Sequence, residues 1–301
     1  MTTEPYLNHA LSAYLGFACG DALGATVEFM SPKRIQKHYG VHKDIIGGGW
    51  LGLEAGQVTD DTQMSLALGQ ALIEHQGWNI AAVADNFVAW LDSDPPDIGD
   101  TCQRGILRYR DQGELFGSIR VDDAGNGACM RNLPVALATL NSPYYFTEWS
   151  LQQNHITHNN PLSDAATLSL GRMVQHLVKG GNLSDCQQEA AKLIWQYPEF
   201  GYTPYPGRAS AYIVHTLQTV LHYFFTTDNF EDCLIATVNQ GDDADTTGAL
   251  VGMLAGARYG LASIPQRWLE RLNKNVSEQI HIQSKKLLQL SKTFEPGGPN
   301  S

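Results

Sequence analysis

An acidic run directly precedes a long apolar segment in the last third of the chain. Residues 240–248 read QGDDADTTG, and the residues that follow are small and apolar, as in a buried helix. No Lys or Arg lies within residues 234–256 to balance the charges of Asp242, Asp243 and Asp245. Because burying an unpaired carboxylate is unfavourable by on the order of several kcal/mol, this run either faces water or binds a metal ion.

A second acidic run, Thr59-Asp60-Asp61, also opens an apolar helix and also lacks a nearby cation. Helix capping is one interpretation, because Thr and Asp favour helix starts and the helix dipole stabilises acids there by roughly 0.3–1 kcal/mol. For either run alone, capping and metal binding are equally supported. Two such runs together favour a metal site.

The side chains of these runs offer only oxygen ligands, which select Mg²⁺, Mn²⁺ or Ca²⁺ over zinc. In a regular helix Asp243 and Asp245 would point to nearly opposite faces. At a helix start the first residue is not yet helical, so the two can converge. Four carboxylates suit two divalent ions, which can orient water and polarise substrate oxygens.

Composition narrows the function classes. The chain has 301 residues, 43% of them hydrophobic and 17% charged, as in a globular protein. The net charge of −11 and the absence of a basic stripe argue against nucleic-acid binding. Five scattered cysteines without a CxxC pair, and no apolar run long enough to span a membrane, predict a cytoplasmic protein without disulfides.

Helical periodicity dominates, and strand candidates are few, so we predict one all-α domain. The domain is expected to cover residues 1–295, followed by a disordered tail at 296–301. Neither a repeat nor a linker divides the chain. The predicted helices cover residues 6–19, 32–40, 61–75, 79–90, 101–110, 130–140, 161–179, 182–197, 210–225, 230–239, 243–259 and 266–290.

Three loops between these helices carry polar residues whose role is open. The loop 92–100 places four aspartates around two prolines, and it is either a solvated loop or an acidic rim that grips a guanidinium. Gly125-Asn126-Gly127 is either a plain turn or a loop whose N–H groups approach a phosphate. His158, in the polar loop 156–161, is either a surface histidine or a ligand contact.

Five motifs occur together in one order over most of the chain. They are Gly20-Asp21-Ala22-Leu23-Gly24-Ala25 with Glu28, Val58-Thr59-Asp60-Asp61-Thr62, Gly125-Asn126-Gly127-Ala128 with Met130-Arg131, Thr157-His158 with Pro161, and Asp243-Ala244-Asp245-Thr246. This set resembles the ADP-ribosylglycohydrolase family. The resemblance implies a compact all-α fold with two Mn²⁺ (or Mg²⁺) ions between helix N-termini. The implied metal ligands are Thr59, Asp60, Asp61, Asp243, Asp245 and Thr246.

The resemblance also assigns roles around the metal centre. Glu28 would lie at the mouth of the site, and Asp97 would face the scissile bond, either as acid/base or only as a guanidinium contact. The implied catalytic residues are Asp97, Glu28 and Asp60. The implied substrate contacts are Gly125, Asn126, Gly127, His158, Tyr212 and Asp100.

The implied activity is metal-dependent hydrolysis of the bond between ADP-ribose and an arginine of a target protein. Further stretches, such as Gly47-Gly48-Gly49-Trp50-Leu51 and Asp97-Ile98-Gly99, look like family members that act on nitrogenase iron protein. Those members imply control by a PII-type protein and regulated membrane association through a partner. Two alternatives remain, namely hydrolysis of another linkage such as ADP-ribosyl-serine, and a non-catalytic ADP-ribose-binding protein.

Two residues depart from the family pattern. Asp242 stands where the family usually has a second glycine, which puts the local backbone in question if that position needs a positive φ. Asp100 stands where Asn is expected. Neither departure removes an implied metal ligand.

Overall fold

Helices account for the regular structure throughout residues 4–294, the part of the chain that this computed structural model describes. Extended pairing there is limited to two isolated bridges. The prediction of an all-α fold is confirmed, whereas the predicted tail at 296–301 lies outside the described residues. The helices are α1 (Glu4–Gly24), α2 (Pro32–Tyr39), α3 (Asp60–Glu74), α4 (Ile80–Leu91), α5 (Asp100–Gln112), α6 (Gly127–Met130), α7 (Leu133–Ala138), α8 (Pro143–His155), α9 (Pro161–Val178), α10 (Leu183–Gln196), α11 (Ile213–Thr226), α12 (Phe230–Val238), α13 (Ala244–Tyr259), α14 (Gln266–Arg271) and α15 (Lys274–Ser291).

Helices α1 and α13 form the centre of the fold and run antiparallel with their backbones in close contact. A Cβ added at Gly16 would lie 2.4 Å from the carbonyl oxygen of Gly252, and one at Gly20 would lie 2.0 Å from that of Gly248. Gly24 approaches Ala244 in the same way. Small residues therefore recur every fourth position along both helices, and only glycine permits this approach.

Helices α3, α6, α9, α11, α12, α14 and α15 pack against this pair, and α4, α5, α7, α8 and α10 form an outer layer on them. One continuous core contains most of the buried apolar side chains, including Phe17, Phe87, Phe146, Phe224 and Trp268. Within residues 4–294 no helix is long and apolar enough to cross a membrane.

Two predicted helices are in fact broken, and two helices, α6 and α8, were not predicted. The segment 130–140 divides because Asn132 begins a new helix with Pro134 in its first turn. The segment 266–290 divides at Asn273, whose side chain caps α15 and whose N–H donates to the carbonyl of Gly56 at 2.9 Å. Helix α8 begins with Pro143 after Ser142, a start signal that the sequence analysis missed.

Candidate active site

The two acidic runs meet at one end of the central helix pair. Asp243 is the N-cap of α13 and lies outside the helix, so it converges with Asp245 as expected. Thr246 Oγ1 donates to Asp61 Oδ2 at 3.1 Å and joins the start of α13 to that of α3. The six residues predicted as metal ligands are all buried here, namely Thr59, Asp60, Asp61, Asp243, Asp245 and Thr246.

Asp21, on the last turn of α1, fixes the start of α3. Its carboxylate accepts hydrogen bonds from the backbone N–H groups of Thr59 and Thr62, at 3.0 and 3.1 Å, and from both hydroxyls. The side chain is fully buried. Asp21 therefore caps α3 from a neighbouring helix, which aims Asp60 and Asp61 toward α13.

The carboxylates at this junction outnumber the cations near them, although Asp60 interacts electrostatically with the buried Arg131. None of them forms an ion pair with Lys or Arg anywhere in residues 4–294. Burial, followed by repulsion from Asp97, Asp21 and Asp243, raises the pKa of Asp60 to about 8. Burial also raises the pKa values of Asp61 and Asp245 well above the ordinary range.

This donor set fits a divalent metal. Asp61 Oδ1 is buried without a hydrogen-bond partner, although an ionised carboxylate normally has its oxygens satisfied. The surrounding ligands are carboxylates and hydroxyls, which suit hard cations such as Mg²⁺ and Mn²⁺. A cation at this junction would satisfy the free oxygen and balance the charge.

Glu28, Asp97 and Asp245 form the tightest group of acids in the site. One carboxylate oxygen from each lies within 4.8 Å of the other two. The group shares only Asp245 with the predicted ligand set, so the structure brings two of the three predicted catalytic acids, Glu28 and Asp97, against the start of α13. Burial raises the pKa of Asp97, and it raises that of Glu28 to about 8.

An exposed aromatic pair covers Glu28. Trp50 Nε1–H donates to Glu28 Oε2 at 2.6 Å, and the Trp50 ring lies 5.3 Å from the ring of Phe29. Both aromatic side chains are more than half exposed. Glu28 itself is buried, and its indole hydrogen bond stabilises the ionised form.

The loop 92–100 contributes two of its four aspartates. Asp97 and Asp100 line the same cavity as Glu28, whereas Asp92 pairs with Arg110 and does not line it. The N–H of Gly99 donates to the Asp60 carboxylate, which attaches the loop to α3. The predicted acidic rim is therefore smaller than expected.

The Gly125-Asn126-Gly127 loop forms the opposite wall. Asn126 Nδ2 donates to the Asp243 carboxylate and to Thr216 Oγ1, the latter at 3.0 Å. A Cβ at Gly125 would lie 2.9 Å from His158 Nε2, so glycine lets the loop pack on the imidazole. His158 is buried at this wall, which excludes the surface interpretation.

Asp100 lines the cavity, whereas Tyr212 does not, although its neighbour Ala211 does. The backbone beside Tyr212 pairs with the glycine loop, since Asn126 N–H donates to the carbonyl of Ala211 at 3.1 Å. The Tyr212 side chain is partly exposed next to His215. The cavity is open to the surface and measures about 390 Å³, a size typical of small-molecule sites.

Sequence reasoning did not assign three residues that shape the site. Asp21 was visible as an acid within an apolar helix, but its partners lie about 40 positions away. Trp50 followed a glycine loop without any sign that it meets Glu28. Arg131 is a fully buried cation next to His158, and only its place in a motif marked it.

Comparisons with known proteins find a matching family and relatives similar over most of their length. Residues 2–296 match the family model described as ADP-ribosylglycohydrolase. The chain is 54% identical to ADP-ribosyl-[dinitrogen reductase] glycohydrolase of Rhodospirillum rubrum over 97% of this chain and 99% of that protein. It is 30% identical to ADP-ribosylarginine hydrolase Tri1 of Serratia proteamaculans, over 91% of this chain and 79% of that protein. A solved structure titled ADP-ribosylglycohydrolase-related protein complex superposes with a TM-score of 0.85 at 29% identity, covering 96% of this chain and 99% of that one.

Proposed function

Because the chain belongs to the ADP-ribosylglycohydrolase family, we propose that it removes ADP-ribose from a modified arginine of nitrogenase iron protein (dinitrogenase reductase) and so restores the free side chain. The relative from Rhodospirillum rubrum, similar over nearly its full length, carries this activity in its name. The observation that carries the proposal is the buried carboxylate junction, which lies in the cavity beside the glycine loop. The enzyme is a hydrolase of an N-glycosidic bond.

The metal centre of this enzyme would be held by the two acidic helix starts. A pair of divalent ions, Mn²⁺ or Mg²⁺, is supported by the excess of buried acids and by the free oxygen of Asp61. When bound, such ions polarise substrate oxygens and lower the pKa of water. The proposed ligands are Thr59, Asp60, Asp61, Asp243, Asp245 and Thr246.

Two acids outside that ligand set can move the protons of the reaction. Hydrolysis breaks the bond between C1 of the ribose and the guanidine nitrogen, and water adds to C1. Asp97, whose pKa is raised by burial, can give a proton to the departing nitrogen. Glu28 can take the proton from the water once it is ionised, which requires a pH near or above its raised pKa of about 8. In the narrower alternative Asp97 only binds the guanidinium, as carboxylates do bidentately.

The opposite wall would bind the nucleotide. Gly125, Asn126 and Gly127 present a backbone against which His158 packs, and the diphosphate would lie there. Tyr212 would lie near the adenosine end. Asp97 and Asp100 give the target side of the cavity an acidic character, which favours a cationic arginine over a neutral serine.

The cellular setting is a further part of the proposal. The resemblance fits a cytoplasmic enzyme that acts on nitrogenase iron protein. It also fits control by a PII-type protein and association with membranes through a partner. The enzymatic core of the proposal does not depend on this regulation.

The activity is tested by measuring the release of ADP-ribose from arginine-modified and from serine-modified protein. Each substrate is assayed with Mn²⁺, with Mg²⁺ and with EDTA. We expect metal-dependent release from arginine only. Asp243→Ala should abolish metal binding and release together, and full activity in that variant would refute the metal site. Binding of ADP-ribose without any release by the native protein would favour the non-catalytic alternative.

Asp97→Asn separates the two roles of Asp97. As an acid, Asp97 is needed for the chemical step, so kcat should fall by roughly 10²-fold or more while metal affinity is unchanged. If Asp97 only binds the guanidinium, KM should rise and kcat should change little. Loss of metal in this variant would instead place Asp97 among the ligands.

A further inference from the structure

Arg131 is a fully buried cation that forms no ion pair within residues 4–294, although it interacts electrostatically with Asp60. Its Nε donates to Gln153 Oε1 and its Nη2 to the Gln153 carbonyl, both at 2.8 Å. The guanidinium also lies over the Phe87 ring, 4.6 Å from its centre. Gln153 and Phe87 hold the group in one place, but neither explains why a charge is buried so close to the cavity.

Two further contacts join Arg131 to the cavity, and the first is from Nη1 to Cys102 Sγ, at 3.6 Å. Nη2 donates to Thr157 Oγ1 at 2.8 Å, and the same oxygen lies 2.7 Å from His158 Nδ1. Arginine has no acceptor, so Thr157 Oγ1 must accept from it. A hydroxyl can accept twice, but the Thr157 hydroxyl forms no other hydrogen bond within residues 4–294, so its single proton points at His158 Nδ1, the one acceptor in reach.

This direction decides which nitrogen of His158 carries hydrogen. Nδ1 accepts the Thr157 hydroxyl, so in the neutral ring the proton must reside on Nε2. The ring is neutral because burial, with Arg131 and Arg104 nearby, lowers the His158 pKa to about 3. Nε2 lies at the glycine loop, next to Gly125.

We propose that Arg131 and Thr157 are positioning residues that hold His158 as the Nε2–H tautomer, so that it donates a hydrogen bond to a phosphate oxygen of the nucleotide at the Gly125–Gly127 loop. The choice of a phosphate rests on the proposed function, whereas the tautomer rests on the contacts alone. The opposite tautomer would direct a lone pair toward an anion and repel it. Neither Arg131 nor Thr157 needs to touch the substrate.

Neighbouring glycines hold the hydrogen-bond relay, meaning the chain of contacts from Arg131 through Thr157 to His158, in place. Gly105 of α5 lets residues 156 and 157 approach the helix, since a Cβ there would lie 2.5 Å from the Ile156 carbonyl. A Cβ at Gly127 would lie 2.9 Å from His158 Cε1. The imidazole is therefore fixed between two glycines and the Thr157 hydroxyl, and it has little room to turn over.

The tautomer of His158 is tested by nitrogen NMR of the histidine side chains. The measurement uses the full chain loaded with Mg²⁺, which is diamagnetic. The His158 signals are assigned by their loss in His158→Gln. At neutral pH we expect a protonated Nε2 and an unprotonated Nδ1. A protonated Nδ1 in the native protein would overturn the relay.

Thr157→Val and Thr157→Ser form a matched pair for the positioning role. Valine keeps the shape but removes the hydroxyl, so the tautomers should mix and calorimetry should show ADP-ribose binding weakened by about tenfold, with KM raised more than kcat is lowered. Serine keeps the hydroxyl and should restore both signals and affinity. Unchanged tautomer and affinity in Thr157→Val would refute the relay.

The same measurements distinguish this inference from the proposed function. If the native protein shows the Nε2–H tautomer but does not bind ADP-ribose, the nucleotide assignment is wrong and the hydrogen-bond relay stands. If ADP-ribose binds equally well to the valine and serine variants, the relay has no part in binding even though the proposed function stands.

Discussion

Asp242 adopts a backbone conformation that usually belongs to glycine. Its φ is +56°, in the left-handed region, and its N–H and carbonyl exchange hydrogen bonds with Met30 and Phe29. Phe29 is left-handed too, with φ +57°. Aspartate tolerates this region better than most residues, but it is still strained. This position therefore has the positive φ that the sequence analysis raised as a question for Asp242.

Asp242→Gly should stabilise the protein by about 0.5–1 kcal/mol, because glycine relieves the strain. The Asp242 charge also raises the pKa of Asp243, so its loss favours the ionised ligand. Thermal unfolding of the native protein, Asp242→Gly and Asp242→Asn measures the change. Asn keeps the shape without the charge, so a gain in Asn equal to that in Gly would assign the effect to charge alone.

Trp50→Phe should shift the pH dependence of hydrolysis. The indole N–H lowers the pKa of Glu28, so its removal should raise that pKa and move the rise in activity to higher pH. Rates measured from pH 6 to 9 test the shift. Phe29→Leu changes the neighbouring ring without touching Glu28 and is the control. An equal shift in both variants would show that the aromatic pair acts by packing.

At the scale of elements, the α1–α13 contact decides where Glu28 and Asp245 meet. α1 ends at Gly24, opposite Ala244, so the residues that follow α1 lie against the start of α13. Asp21, on the same last turn, holds α3. The end of α1 thus organises both acidic helix starts.

Gly20→Ala should destabilise the protein by about 1–3 kcal/mol, because the added methyl would lie 2.0 Å from the Gly248 carbonyl and force the helices apart. Thermal unfolding together with titration of Mg²⁺ should show lower stability and weaker metal binding. Gly99→Ala, where a Cβ meets nothing within 4 Å and φ is −67°, is the control for stability. Equal stability in both variants would contradict the close packing.

The elements differ in how far the sequence could predict them. The starts of α3 and α13 were predicted because their acids and the apolar residues after them are adjacent in the chain. The break before α15 has one local signal, Asn273 as a helix cap, but it also depends on the hydrogen bond between Asn273 and Gly56, more than 200 positions apart, which no local pattern indicates. Asp21 and Arg131 were missed as site residues for the same reason, since their partners come from other helices.

For the whole molecule, the buried acids make stability depend on pH and metal. The folded pKa values of Asp60 and Glu28, about 8, exceed their ordinary values of 3.8 and 4.5. The folded state thus retains protons that the unfolded state releases. This contribution is complete below about pH 4 and disappears as pH rises through 8.

Metal-free protein should therefore unfold at a lower temperature at pH 8.5 than at pH 6. Mg²⁺ should raise the unfolding temperature more at pH 8.5, because metal ligands must be ionised. Calorimetry in EDTA and in Mg²⁺ at both pH values measures this. Asp243→Ala removes one ligand and should reduce the effect of metal. A metal-free protein that is equally stable at both pH values would contradict the assigned burial of charge.

The four-residue repeat of small residues between α1 and α13 has a consequence for alignment. Sliding α13 by one turn, about 6 Å at 1.5 Å per residue, would set Gly20 opposite Ala244 and Gly16 opposite Gly248, again small against small. The contact between these small residues alone therefore permits more than one alignment of α1 with α13. The hydrogen bonds of Asp242 with Phe29 and Met30 can form in only one alignment of α1 with α13. This short strained loop therefore fixes the alignment that places Glu28 next to Asp245.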